Sequence, residues 1–158
     1  MVIRNEVGQI MGTLSRNLPL PLGALEVEAK AIEEGINLAR DLGLWEVEIE
    51  SDALVVVKAI TDAASRPSSI LKVVEGIILG LGSFKQWSLS HTSRQNNLAA
   101  HIMAREARVL HDCHIWVEDT PPLGNCNSSS VGCKSCGQFV LSNENVCEFH
   151  YQKKKKKE

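Results

Sequence analysis

The stretch from Leu25 to Asp52 most constrains the fold, because a helical pattern there runs directly into a strand pattern. Apolar residues recur at alternating steps of four and three, which is the spacing of one helix face. These residues are Leu25, Ala29, Ile32, Ile36 and Ala39. Gly43 then favours the end of the helix, because glycine readily adopts the left-handed conformation found at many helix ends.

The residues after Gly43 alternate between apolar side chains and glutamates. Trp45, Val47 and Ile49 predict a strand with one buried face. Asp52 follows at the strand's end, and Glu28 lies near the start of the preceding helix. If the two carboxylates converge at one edge of a sheet, they repel unless a hard cation lies between them. Magnesium prefers such oxygen ligands.

Length and charge set the broad class. A chain of 158 residues is long enough for one ordinary domain and a small appendage. The formal net charge of −2 includes the basic run Lys153–Lys157; without that run and Glu158, 12 basic residues oppose 18 acidic ones, a net charge of −6. Affinity for nucleic acid must therefore come from a local basic patch or from the tail.

Neither a membrane span nor a secretion signal is expected. No run of about 20 uncharged apolar residues occurs, and the first residues lack a basic-then-apolar layout. We therefore expect an intracellular protein, either nuclear or cytoplasmic.

The remaining periodicities predict an α/β fold in which helices cover a mixed sheet. Gly8 supports a tight hairpin between the first two strands. Ser68 or Ser69 is expected to cap the third helix, and Asn96 or Asn97 the fourth. The predicted elements are strands at 2–4, 9–15, 45–51 and 86–92, and helices at 25–42, 52–61, 70–81 and 97–111.

Four segments, in this order, resemble the type 1 ribonuclease H domain, especially the retroelement-derived domains of plants. IRNEVGQIMGTLSR is similar to that family's second and third strands, and EVEAKAIEEGINLARDLG to its first helix. VEIESDALVVVKAI is similar to the fourth strand and second helix, and SHTSRQNNLAAHIMAREA to the closing strand and helix. The resemblance covers residues 2–110 and implies a ribonuclease H-like sheet with helices on both faces.

The resemblance also implies a chemistry. In such enzymes four carboxylates hold two magnesium ions that straddle the scissile phosphate of RNA paired to DNA. Glu28 resembles the family's helix glutamate and Asp52 its strand-end aspartate. His91 aligns with a mobile histidine that helps product leave. Asn97 aligns with the asparagine that precedes the last metal ligand, whose place is taken by His101.

Each of these residues also has an ordinary structural interpretation. Asp52 could cap the following helix, and Glu28 could be a solvated helix residue. His91 could be a half-buried strand histidine, and His101 could be structural. Arg94 and Asn97 are the candidate nucleic-acid contacts, although Arg94 could instead be a plain surface charge.

The family's first strand, which holds its first catalytic aspartate, has no counterpart here. In the family's strand order, 3-2-1-4-5, that strand lies in the middle of the sheet. Three completions are open: 2–4 pairs directly with 45–51, another segment fills the gap, or this is a truncated gene product. Imidazole is also a softer ligand than carboxylate. We therefore expect magnesium-dependent cleavage to be weak or lost.

All five cysteines lie in the last third of the chain. Cys133 and Cys136, followed by Cys147 and His150, have the spacing of a single tetrahedral zinc site. Cys126 could replace one ligand; alternatively, the segment is a disordered tail with incidental cysteines. The predicted organisation is a ribonuclease H-like domain at 1–112, a linker at 113–130, a zinc-binding segment at 131–152 and a basic tail at 153–158.

Two classes of function follow. One is an enzyme that cleaves the RNA of RNA–DNA hybrids with magnesium. The other is a nucleic-acid-binding module that has lost its metal centre, with a zinc finger and basic tail adding contacts. A protein-interaction zinc module on a relic domain is a third possibility.

Overall fold

The computed structural model describes residues 1–18, 21–107, 113–117 and 147–151, the last of these as backbone. Within these ranges the chain forms six strands and four α-helices. The strands are β1 (Val2–Asn5), β2 (Ile10–Ser15), β3 (Glu46–Ser51), β4 (Gln86–His91), β5 (His114–Val117) and β6 (Cys147–Tyr151). The helices are α1 (Ala24–Asp41), α2 (Leu54–Thr61), α3 (Leu71–Leu81) and α4 (Leu98–Ala107).

The strands form a single mixed sheet in the order β4-β3-β6-β1-β2-β5. β3 runs parallel to β4, and β1 runs parallel to β6. The other three pairings are antiparallel. The predicted α/β class with a mixed sheet is confirmed.

Helices cover both faces of this sheet, as expected. Ile3 and Ile49 lie in one hydrophobic cluster with residues of α1, α2 and α3. Val2 lies in a second cluster with Ala100 and Met103 of α4. Successive strand residues belong to opposite faces, so the adjacent residues Val2 and Ile3 place α4 across the sheet from the other three helices. Among the described residues, no helix combines the length and the apolar character needed to cross a bilayer.

Strand β6 occupies the middle of the sheet, between β1 and β3. Its register runs from Val2 opposite Glu148 on one side to Ser51 opposite Cys147 on the other. Of the three completions left open by the sequence, the structure shows the second, in which another segment fills the gap. β1 therefore does not pair directly with β3.

Helix α1 follows its predicted pattern, and its position bears on the site because it contains Glu28. Ala29, Ile32, Ile36 and Ala39 are buried, and Leu25 packs on the same core. A Cβ added at Gly80 of α3 would lie 2.7 Å from Cγ2 of Ile36. Glycine at that position therefore lets α3 pack closely on α1.

Several element ends differ from the sequence predictions. Trp45 was predicted to be a buried residue of β3, but it lies directly before the strand and is 67% exposed. Its carbonyl accepts a hydrogen bond from the Lys85 N–H. Helix α3 begins after a 3-10 turn and its N-cap residue is Ile70, so neither serine ahead of it is the cap.

Strand β5 pairs with β2 inside the segment predicted as a linker. The strand has only four residues, most of them exposed, so its sequence is too short to show a clear alternation of apolar and polar residues.

Candidate functional site

Asp52 lies just beyond the end of β3, and its side chain does not cap the next helix. Helix α2 has Ala53 as its N-cap residue, with no side-chain capping bond. The Ser51 hydroxyl instead accepts a bond from the Ala53 N–H at 3.2 Å. The helix-cap interpretation of Asp52 is therefore wrong, and its carboxylate is left for other partners.

Both carboxylate oxygens of Asp52 bind side chains from the start of α4. Asn97 Nδ2 donates to Oδ1 at 2.9 Å, and His101 Nε2 lies 3.1 Å from Oδ2. An ionised carboxylate only accepts hydrogen bonds, so Nε2 must supply the hydrogen. Asn97 is fully buried and His101 is 8% exposed. Buried bonds to a charged acceptor are among the stronger ones, so these two residues fix the orientation of Asp52.

The local sequence explains how α4 presents both side chains. The Asn97 carbonyl accepts the backbone N–H of His101 at 3.1 Å, which closes the first turn of the helix. Residues four apart lie on the same helix face, so both side chains reach the end of β3.

The second ring nitrogen of His101, Nδ1, is buried without a hydrogen-bond partner among the described residues. With the hydrogen on Nε2, Nδ1 is a bare acceptor. Leaving it unpaired costs less than leaving a buried N–H unpaired, so the Nε2–H tautomer is favoured. In that tautomer, Nε2 serves Asp52 and has no lone pair for a cation.

Glu28 lies in the second turn of α1 and is electrostatically coupled to Asp52. Burial, and then the negative charge of Asp52, raise the pKa of Glu28 from 4.5 to about 7. Glu28 is therefore half-buried rather than simply solvated. The structure brings the two carboxylates close enough to repel, although one comes from a helix and the other from a strand end.

This shift predicts a pH-dependent stability. Without divalent cations, the stabilisation that Glu28 gives the fold in its protonated form is complete below about pH 4.5 and is lost as pH rises through about 7. Glu28→Gln should therefore raise the free energy of unfolding at about pH 8 by about 1 kcal/mol, a value reduced because solvent screens this half-buried group. At about pH 4 the two proteins should be nearly equal. Urea unfolding at both pH values measures this difference. A larger gain at the acidic pH would contradict it.

His91 and Arg94 lie on the connection from β4 to α4. His91 is the last residue of β4 and pairs in register with Ser51. It is exposed, so the half-buried interpretation is wrong; β4 is an edge strand, and every side chain in it except the partly buried Leu89 is exposed. Arg94 is also exposed, and its carbonyl accepts the Asn97 N–H at 3.2 Å. The connection therefore places an imidazole and a guanidinium on the side of the sheet edge where Asp52 lies.

Two positioning contacts were not found from the sequence. The Thr92 N–H donates to the Ser51 carbonyl at 3.0 Å and continues the β3–β4 pairing past the strand ends. The buried Ser15 hydroxyl donates to the Met103 carbonyl at 2.8 Å and ties α4 to β2. The first contact joins two backbone groups, and the second uses a small hydroxyl residue of a kind that is frequent in strands, so no local sequence pattern identifies either contact.

The predicted zinc ligands are only partly within the described ranges. Cys147 and His150 belong to β6. Cys133, Cys136 and the alternative ligand Cys126 lie outside the described residues. The zinc set therefore stays a prediction from spacing.

For magnesium, the donor set at the β3 edge fits one ion better than two. Among the described residues, no group of three or more His, Cys, Asp or Glu side chains is arranged to hold a metal. Magnesium commonly binds one or two carboxylates and completes its shell with water and substrate phosphate. Glu28 and Asp52 could serve one ion in this way. The four-carboxylate, two-ion arrangement implied by the resemblance does not fit these residues.

Comparison with known proteins bears on this site. Residues 1–107 match the model of a family described as reverse transcriptase-like. Among solved structures, RNase H1 from the halophilic archaeon Halobacterium salinarum NRC-1 is similar, with 26% identity and a TM-score of 0.51. That match covers 53% of this chain and 64% of the archaeal chain, so this chain spans less than two thirds of its relative. No curated protein matches.

Proposed function

Because the chain belongs to the reverse transcriptase-like family and contains a ribonuclease H-like domain, we propose that it binds RNA paired to DNA at the β3 edge, with magnesium-dependent cleavage that is at most weak. The observation that supports this is the coupling of Glu28 to Asp52, with the Asp52 carboxylate held by Asn97 and His101. Two carboxylates that repel each other, one of them held in a fixed orientation, favour a divalent cation.

Glu28 and Asp52 would hold the magnesium ion. When bound, the ion would neutralise negative charge that develops on the scissile phosphate. Asn97 and His101 keep the Asp52 oxygens in place, which limits the reorganisation needed when substrate arrives. The exposed Arg94 guanidinium on the neighbouring connection can contact a backbone phosphate.

The same geometry favours binding over efficient cleavage. A second ion would need further oxygen donors, and the place of the family's last carboxylate is taken by His101. Its Nε2 is committed to Asp52, and an imidazole nitrogen is a poorer magnesium ligand than a carboxylate oxygen. With one supported ion rather than two, the attacking and the leaving oxygen are not both stabilised.

A labelled RNA–DNA hybrid tests the proposal in a binding assay and a cleavage gel. We expect the hybrid to bind more tightly with magnesium than with EDTA, and to be cut slowly if at all. Asp52→Asn should remove the magnesium-dependent part of the affinity, because it removes one ligand charge.

Asp41→Asn is the matched control, since it makes the same charge change at an exposed site at the other end of α1. Its affinity should equal that of the unmodified chain. Absence of hybrid binding would contradict the proposed binding function. Rapid magnesium-dependent cleavage abolished by Asp52→Asn would instead contradict the claim that catalysis is weak.

The proposed zinc site is a separate function, supported by the Cys-x2-Cys and Cys-x2-His spacing. A zinc module beside the basic run could add contacts to nucleic acid.

A further inference from the structure

Cys147 and His150 are both predicted zinc ligands, and both belong to the central strand β6. Their places in the sheet are fixed by backbone register. Cys147 is opposite Ser51 of β3. His150 is opposite Glu48 of β3 on one side and Arg4 of β1 on the other.

These two register positions belong to opposite faces of the sheet. Successive residues of a strand lie on opposite faces, so two residues three positions apart also lie on opposite faces. The described neighbours show the same division, because Ser51 is buried whereas Glu48 is exposed. Cys147 thus lies in the row that faces α1, α2 and α3, and His150 lies in the row on the α4 side.

One zinc ion cannot use both residues in that arrangement. A sulfur at about 2.3 Å and a nitrogen at about 2.0 Å from one ion lie within about 4 Å of each other. Residues three apart in a strand have Cα atoms about 10 Å apart, and here the sheet separates the two rows. Shared coordination therefore requires Cys147–Tyr151 to leave the extended conformation of β6.

We propose that zinc binding through Cys147 and His150 and the insertion of β6 into the sheet are mutually exclusive, so that zinc withdraws the central strand. In the metal-free chain, the segment completes the sheet. In the zinc-bound chain, the Cys147 thiol gives its proton to solvent, the thiolate and imidazole bind the ion, and β1 and β3 lose their shared neighbour.

Withdrawal would also reach the candidate site. Cys147 pairs with Ser51, the residue directly before Asp52, so loss of β6 removes the backbone support beside that carboxylate. Zinc would thereby act as a negative regulator of the site at the β3 edge. Zinc control of β6 rests on the proposed zinc site but not on hybrid binding, because its test measures only zinc binding and backbone protection.

Hydrogen exchange of the full chain, followed by mass spectrometry, tests the proposal. Peptides covering β1 and β3 should exchange about tenfold faster or more with equimolar zinc sulfate than with EDTA, because their ladder bonds to β6 are lost. In Cys147→Ser and in His150→Ala, zinc should not change the exchange of these peptides. Cys113→Ser, which alters an exposed cysteine directly before β5, should respond to zinc like the unmodified chain.

Three results would overturn the proposal. The first is no zinc binding by the full chain in native mass spectrometry. The second is zinc binding that depends on both ligands but leaves β1 and β3 protected. The third is exchange of the β1 and β3 peptides that zinc still accelerates in both ligand variants, because zinc would then act without Cys147 and His150. Because each variant is compared with itself in EDTA, a general loss of stability in one variant does not imitate the zinc effect.

Discussion

A chain that ends at Val146 is expected to lose cooperative unfolding, whereas a chain that ends at Tyr151 should keep it. The chain that ends at Val146 lacks all of β6 as well as 152–158, whereas the chain that ends at Tyr151 lacks only 152–158. The comparison is sharp because the two chains differ only by the five residues of the central strand.

The expected loss is large because β6 has neighbours on both sides. Its removal leaves the facing backbone groups of β1 and β3 without their ladder partners. Each lost ladder bond costs about 1 kcal/mol net, and several are lost on each side. The total approaches the whole stability of a typical domain, about 5–15 kcal/mol.

Circular dichroism during urea unfolding measures this directly. The chain ending at Tyr151 should show a single sigmoidal transition, and the chain ending at Val146 should show a broad, featureless one or aggregate through its exposed strand edges. Equal transitions in the two chains would show that β6 does not complete the sheet.

The second large effect is expected at Asp52. Asp52→Ala removes the acceptor for two buried donors, Asn97 Nδ2 and His101 Nε2. Leaving a buried donor without its acceptor costs about 1–3 kcal/mol. Relief of the repulsion with Glu28 offsets about 1 kcal/mol of this. With two such donors, we therefore expect a net loss of about 1–5 kcal/mol in the free energy of unfolding near neutral pH.

Asp52→Asn separates hydrogen bonding from charge. Its amide oxygen can still accept from Asn97, and His101 can shift its hydrogen to Nδ1 and accept from the new amide. That shift leaves a buried N–H at Nδ1, so a loss of about 1 kcal/mol is expected, smaller than for Asp52→Ala. Urea unfolding of both variants measures the difference. Equal losses would contradict the bonded network at the start of α4.

Much of this architecture was predictable because strong local periods specify it. The α1 face and the alternation of Val47 and Ile49 are repeated over several residues, and both were buried as expected. Gly8 and Gly43 have φ of 80° and 70°, so the predicted turn and helix end have the left-handed geometry that favours glycine.

The rest depends on contacts distant in sequence. Nothing in Cys147–Tyr151 itself indicates a central strand, since its pairing is fixed by the gap between β1 and β3 rather than by its own pattern. Likewise, the spacing of Asp52 from Asn97 and His101 does not show that they bind each other. Only the packing of α4 on the sheet determines which oxygen meets which donor.

The titration of Glu28 shows whether Glu28 and Asp52 share one site at the end of β3. Carbon-13 NMR of the Glu28 carboxyl in metal-free protein should give a pKa of about 7. In Asp52→Asn the pKa of Glu28 should fall, because the neighbouring charge is gone, but it should stay above 4.5, because burial is the larger cause of the shift. A Glu28 carboxyl with the same pKa in both proteins would show that the two groups do not meet at one site.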